Sequence, residues 1–114
     1  MPYLKIQTNQ ELDTDQGRAL LSQASSLVAR ELGKPESYVM VALELPTPML
    51  FAGQDAPLAY LELKSIGLPD SKTKALSQAL CGMMEEATGI SKERVYIEFA
   101  DAPRAMWGWN GSTF

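Results

Sequence analysis

Pro2 offers the chain its most distinctive chemistry. A small second residue such as proline generally permits removal of Met1, and Pro2 then becomes an N-terminal secondary amine, the one base of this kind that a protein can encode. With Met1 in place, the same nitrogen is an amide without useful basicity. An α-amine titrates at about 8. Burial or a neighbouring cation disfavours the ammonium and lowers that value, toward the range where a general base works best. Lys34 and Lys64 are the candidate cations.

Other residue types narrow the chemistry further. There is no histidine, so imidazole bases, imidazole metal ligands and His-containing triads are excluded. The single cysteine, Cys81, can form neither an internal disulfide nor a metal cluster. It lies on the apolar stripe of a helix, where a buried structural thiol is the expectation. No metal site is expected. Lys34 follows Gly33 at a helix end, where it either favours the helix C-terminus as a solvated cation or anchors a carboxylate. Ser65-Ile66-Gly67 is either a plain strand-to-turn transition or a backbone N–H donor for an anionic oxygen. Tyr96, Trp107, Trp109 and Phe114 serve either as core and interface residues or as walls for a flat aromatic ligand.

These residues need a scaffold, and 114 of them fit one domain, 1–114. Hydrophobic residues make up 46% and charged residues 21%, which is globular, and a chain this short is expected to self-associate. The net charge is -4 with no Lys/Arg-rich run, which argues against nucleic acid as a partner. No apolar run approaches a membrane span and no basic-then-apolar leader is visible, so a soluble, cytoplasmic protein is expected, with non-classical secretion left open.

Apolar spacing predicts a short strand over Pro2–Gln7, a polar loop over Thr8–Thr14, and a helix capped by Asp13 or Thr14 that runs to Leu32. Gly33 and Pro35 end that helix. Tyr38–Glu44 reads as a strand apolar on both faces, and Leu45–Ala56 as a long loop. The order then repeats. A strand covers Leu58–Ser65, Asp70 caps a helix to Thr88, Gly89 closes it, and Val95–Phe99 is a strand, with an edge strand near Met106–Trp109. Gly33 and Gly89, Val39 and Val95, and Val41 and Ile97 each stand 56 positions apart, and the same shift carries Pro2 onto Leu58. The reading is an internal duplication, 2–57 and 58–114. It gives an α/β (α+β) fold in which two β-α-β repeats form a four-stranded mixed sheet with two helices on one face. The uncovered face is expected to be buried by self-association.

Pro2, the Gly33-Lys34-Pro35 turn with Tyr38, Ser65-Ile66-Gly67, Leu80-Cys81-Gly82, Arg94-Val95-Tyr96-Ile97 and the tail Gly108-Trp109-Asn110-Gly111-Ser112-Thr113-Phe114 occur together in one order. In order and spacing they resemble the macrophage migration inhibitory factor family over the whole chain. The resemblance implies a homotrimer whose sheets form a central barrel, with active sites at the subunit interfaces. It also implies cofactor-independent keto–enol tautomerisation of phenylpyruvate-type keto acids and dopachrome-like substrates. By position, Pro2 is the implied base. Lys34 and the Ile66 N–H of the Ser65-Ile66 segment hold the substrate carboxylate, and Tyr38, Trp107 and Phe114 are pocket walls. Tyr96 and Glu98 reach the site from a neighbouring subunit.

Three positions depart from the family's best-studied vertebrate member. Leu58-Ala59-Tyr60-Leu61 replaces its Cys-x-x-Cys pair, so thiol–disulfide chemistry is not expected. Glu98 stands in place of an asparagine, and Trp107 in place of a smaller aliphatic residue. Two further functions fit the resemblance: a non-catalytic, cytokine-like ligand for a protein receptor, and a hydratase- or dehalogenase-type reaction on the same scaffold. The latter calls for extra arginines, and spacing does not assign Arg18 or Arg104 to the site.

Overall fold

The structure, a computed structural model, describes residues 1–114. Asp13 starts the first helix, α1 (Thr14–Leu32), through a capping box: its carboxylate accepts the Gln16 N–H at 2.8 Å, and the Gln16 side chain accepts the Asp13 N–H at 3.1 Å. Gly33 ends the helix at φ +63, a left-handed conformation that glycine adopts without strain. The second helix, α2 (Thr73–Thr88), ends the same way at Gly89. Its start corrects the sequence reading. Asp70 does not cap it; Asp70–Lys72 form a 3-10 turn, and the helix proper begins at Thr73 without a side-chain cap. A tighter turn of this kind is a common lead-in to an α-helix, and no helical period distinguishes it in the sequence.

Four strands, β1 (Tyr3–Thr8), β2 (Met40–Leu43), β3 (Ala59–Ile66) and β4 (Val95–Ala102), form one mixed sheet in the order β2-β1-β3-β4. β1 and β2 are parallel, as are β3 and β4, while β1 and β3 run antiparallel at the centre. Leu4, Ile6, Ala59, Leu61, Leu63 and Val95 face the two helices and join Leu20, Ala24, Val28, Leu76, Leu80 and Met84 in one buried core. Cys81 is buried among them. Tyr38 and Val39 lie outside β2. Pro35 leads into a 3-10 turn at Glu36–Tyr38, and Val39 N–H bonds back to the Glu36 carbonyl.

Register refines the 56-residue spacing. Val41 and Ile97 do stand 56 apart, but Leu4 is the partner of Val41 and Leu61 the partner of Ile97, a spacing of 57. Because side chains alternate, a shift of 56 would pair half-buried Tyr3 with buried Ala59 and reverse the strand's faces.

The face away from the helices, the one expected to be buried by self-association, is mostly polar. Only β2 is apolar on both sides, and its Met40 is 66% exposed. Beside it, Lys5 lies 3.6 Å from Glu44 and 3.8 Å from Glu62, and Lys64 lies 3.8 Å from Glu62. The tail forms no edge strand of this sheet. Arg104–Met106 is a 3-10 turn, and β5 (Gly108–Trp109) pairs with β6 (Ser112–Thr113) across an Asn110-Gly111 turn. Both turn residues have positive φ, 51 and 76, as a two-residue hairpin requires. No helix is long and apolar enough to cross a membrane.

Candidate functional site

Pro2 is buried at the start of β1, held where its carbonyl accepts the Met40 N–H of β2 at 3.0 Å. The two open sides of this corner are closed by the 3-10 turn that presents Tyr38 and by the tail hairpin. Hairpin pairing returns the chain so that the Phe114 N–H bonds the Trp107 carbonyl at 3.2 Å. Tyr38 then meets Trp109 edge-on at 5.6 Å and Phe114 edge-on at 5.9 Å, and Trp109 stacks on Phe114 at 5.5 Å. Such offset and edge-to-face contacts hold aromatic walls in fixed orientation. The result is a cavity of about 480 Å³ lined mainly by apolar side chains, with Pro2, Tyr38, Trp107 and Phe114 on its wall and Lys64 at its polar side. Its size and lining suit a small, flat ligand.

The chain-start amine, here on Met1, is held below its usual value, first because burial disfavours the charged form and second because the Lys34 ammonium repels it. Lys34 is aimed by its backbone position just past the helix end, where its N–H bonds the Ala29 carbonyl at 2.9 Å. Its Nζ donates to the Ile66 carbonyl at 2.6 Å, and Ser65 Oγ donates to the same oxygen at 3.3 Å. Lys34, Ser65 and Ile66 thus form one polar cluster. They do not line the cavity themselves; Lys34 reaches it through its charge.

Tyr96 and Glu98 lie on another part of the same chain. Tyr96 is 66% exposed, packs on Phe51 at 4.7 Å and borders a second, mostly apolar cavity of about 310 Å³. Glu98 accepts the Tyr60 hydroxyl at 2.9 Å, and this bond, with some burial and the charges of Glu98 and Glu62, pushes the Tyr60 phenol up to about 12. Neither residue joins Pro2 within one chain. Trp109, read from the sequence as a candidate aromatic wall, and Lys64, read as a candidate cation, both line the cavity, although neither was among the residues carried over by position. The Asn110-Gly111 dipeptide was the available signal for Trp109, because a hairpin turn there places Trp109 beside the chain end. No group of three or more His, Cys, Asp or Glu side chains is placed to hold a metal.

Geometry of this kind recurs among known proteins. The macrophage migration inhibitory factor family model matches residues 1–114. A macrophage migration inhibitory factor homolog of Brugia malayi is 39% identical over 115 residues, covering 100% of this chain and 99% of the relative. The crystal structure of a homologue from Prochlorococcus marinus superposes with a TM-score of 0.92 at 45% identity over 98% of each chain. A further structural neighbour, 31% identical with a TM-score of 0.86 over 96% of this chain and 93% of its own, was solved after inactivation by 2-oxo-3-pentynoate. The chain belongs to the macrophage migration inhibitory factor family.

Proposed function

We propose that this protein is a cofactor-independent keto–enol tautomerase of phenylpyruvate-type keto acids and dopachrome-like substrates, with the Pro2 amine as general base after Met1 is removed. The observation that carries the reading is a chain-start amine held below its usual value at the wall of a mostly apolar, aromatic-lined cavity. Processing would move the amine one residue inward, onto buried Pro2, where desolvation and the Lys34 charge act in the same direction. The neutral nitrogen takes a proton from the carbon next to the substrate carbonyl, and the ammonium so formed returns a proton to the carbonyl oxygen, which completes the enol and regenerates the amine. The reverse course restores the ketone, so the isomerisation needs no oxidant, reductant or co-reactant.

In this reading the substrate carboxylate extends beyond the cavity lining to reach Lys34 and the Ile66 N–H. β1 pairs with β3 only as far as Tyr3–Lys64, two residues short of Ile66. The aromatic ring of the substrate lies against Tyr38, Trp107 and Phe114. A homotrimer brings Tyr96 and Glu98 of a neighbouring protomer to the mouth of the site, which agrees with their distance from Pro2 within one chain. The neighbour inactivated by 2-oxo-3-pentynoate supports a keto-acid substrate, because that compound is itself a 2-keto acid.

Intact mass spectrometry paired with a phenylpyruvate enol–keto assay tests the reading. The expected result is a mass lacking Met1 together with activity. Pro2→Gly should lose a large part of the roughly 100- to 10,000-fold that one positioned base contributes. Equal turnover in that variant, or full activity with Met1 retained, would reject Pro2 as the base.

A further inference from the structure

The turn after β3 carries the carbonyl that aims Lys34, and something must hold that turn. Gly67 sits there at φ +69, a left-handed conformation that glycine adopts without strain. Three side chains hydrogen-bond to the backbone of residues 66–68. Lys34 and Ser65 share the Ile66 carbonyl, and Asp101 Oδ1 accepts the Leu68 N–H at 3.0 Å. Asp101 stands beside Ser65 in the parallel β3–β4 register, so its carboxylate reaches past the strand end into the turn. The Leu68 side chain is buried in the core just beyond.

We propose that Asp101 is a positioning residue for the anion-binding end of the site: its grip on the Leu68 N–H fixes the turn whose Ile66 carbonyl orients the Lys34 ammonium. This rests on the reading of Lys34 as carboxylate anchor. A lysine stem has four rotatable carbons and loses much freedom when its head is fixed. The 2.6 Å bond to Ile66 fixes it before substrate arrives. If the Gly67–Leu68 peptide is released, the Ile66 carbonyl can swing away, and Lys34 must be ordered at the moment of binding. The consequence falls on substrate affinity and not on proton transfer.

Steady-state phenylpyruvate kinetics on the full chain test this. Asp101→Ala should raise KM roughly three- to tenfold, the scale of one hydrogen bond, with kcat within about twofold. Asp101→Asn keeps an acceptor oxygen without the charge and should restore KM. In a Lys34→Ala background, Asp101→Ala should add nothing, because the group it positions is gone. Gly67→Ala disturbs the same turn through its backbone alone, since an added Cβ meets nothing within 4 Å. It should raise KM in the same Lys34-dependent way, and it decides the question should Asp101→Ala fold poorly. A KM increase of equal factor in both backgrounds would overturn the proposal, as would an unchanged KM in Asp101→Ala when Lys34→Ala raises it. An unchanged KM in Lys34→Ala would instead overturn the anchor reading, and the role of Asp101 with it.

Discussion

Lys34→Ala separates binding from base strength, because in the proposed mechanism one ammonium serves both. Its Nζ lies 2.6 Å from the Ile66 carbonyl, and its charge is the second cause, after burial, that lowers the chain-start amine. A charge-assisted hydrogen bond to a substrate carboxylate contributes about 1.5–3 kcal/mol. At 1.4 kcal/mol per factor of ten, its loss raises KM roughly 10- to 100-fold. The carboxylate is bound alike in ketone, transition state and enol, so this is uniform binding, and kcat well above the amine's titration should change little. The second effect has its own sign. With the Lys34 charge gone, the ammonium is less disfavoured and the amine titrates higher. Because the neutral form is the active base, the acidic limb of the kcat/KM profile should move to higher pH. Initial-rate phenylpyruvate assays across pH read both effects. The fold should survive: one net hydrogen bond of about 1 kcal/mol lowers Tm by roughly 4 °C in a chain of this size, which circular dichroism measures. A KM within twofold of the unmodified protein, together with an acidic limb that does not move, would refute the reasoning.

Arg94 supports a different part of the molecule. Its guanidinium donates to the carbonyls of Phe51, Gln54, Ala56 and Pro57 at 3.0–3.3 Å and lies 5.2 Å over the Phe51 ring, closing the long loop before β3. These bonds are largely exposed, so Arg94→Ala should cost about 2 kcal/mol in all and roughly 8 °C in Tm by scanning calorimetry. A change under 2 °C would show that water replaces the guanidinium without loss. Glu98→Gln removes the charge beside Tyr60 and should bring its phenol down from about 12 toward 10, followed by ultraviolet absorbance of the phenolate. A titration that stays near 12 would mean that Glu98 is not the dominant cause.

What the sequence disclosed follows the range of the interactions involved. The boundaries of α1 rest on contacts within four residues, Asp13 to Gln16 and Gly33 to the last turn, and these were legible. The end of α2 at Gly89 was legible for the same reason. Its beginning was not, because a 3-10 turn and a capped first turn place Asp70 in the same spot along the chain. The tail hairpin turned on Asn110-Gly111, a strong local signal, yet its two-residue strands are too short to show alternation. The polar second face of the sheet was legible in β3, where Glu62 and Lys64 alternate with buried residues, and the structure extends it to Lys5 on β1 and Glu98 on β4.

The site divides along the same line. Pro2 needs no partner in sequence to be noticed, since its chemistry comes from its place at the chain start. Lys34 is different: the Ile66 carbonyl that orients it lies 32 residues away, and Asp101, which holds the turn after that carbonyl, lies 33 residues beyond Leu68. No periodicity encodes such a relay, because each link is a side chain meeting a backbone atom, and a backbone carbonyl leaves no mark on composition. Tyr38, Trp107 and Phe114 fall between these cases. Their identity was legible as aromatic, but their convergence depends on a turn and a hairpin that bring residues 38 and 114 within 5.9 Å. The proposed general base is therefore written in the residue type, whereas the proposed orientation of the substrate is written in how two strand ends and one helix end meet. Substitutions that spare every substrate-contacting side chain, such as those at Asp101 and Gly67, should for this reason alter affinity before they alter turnover.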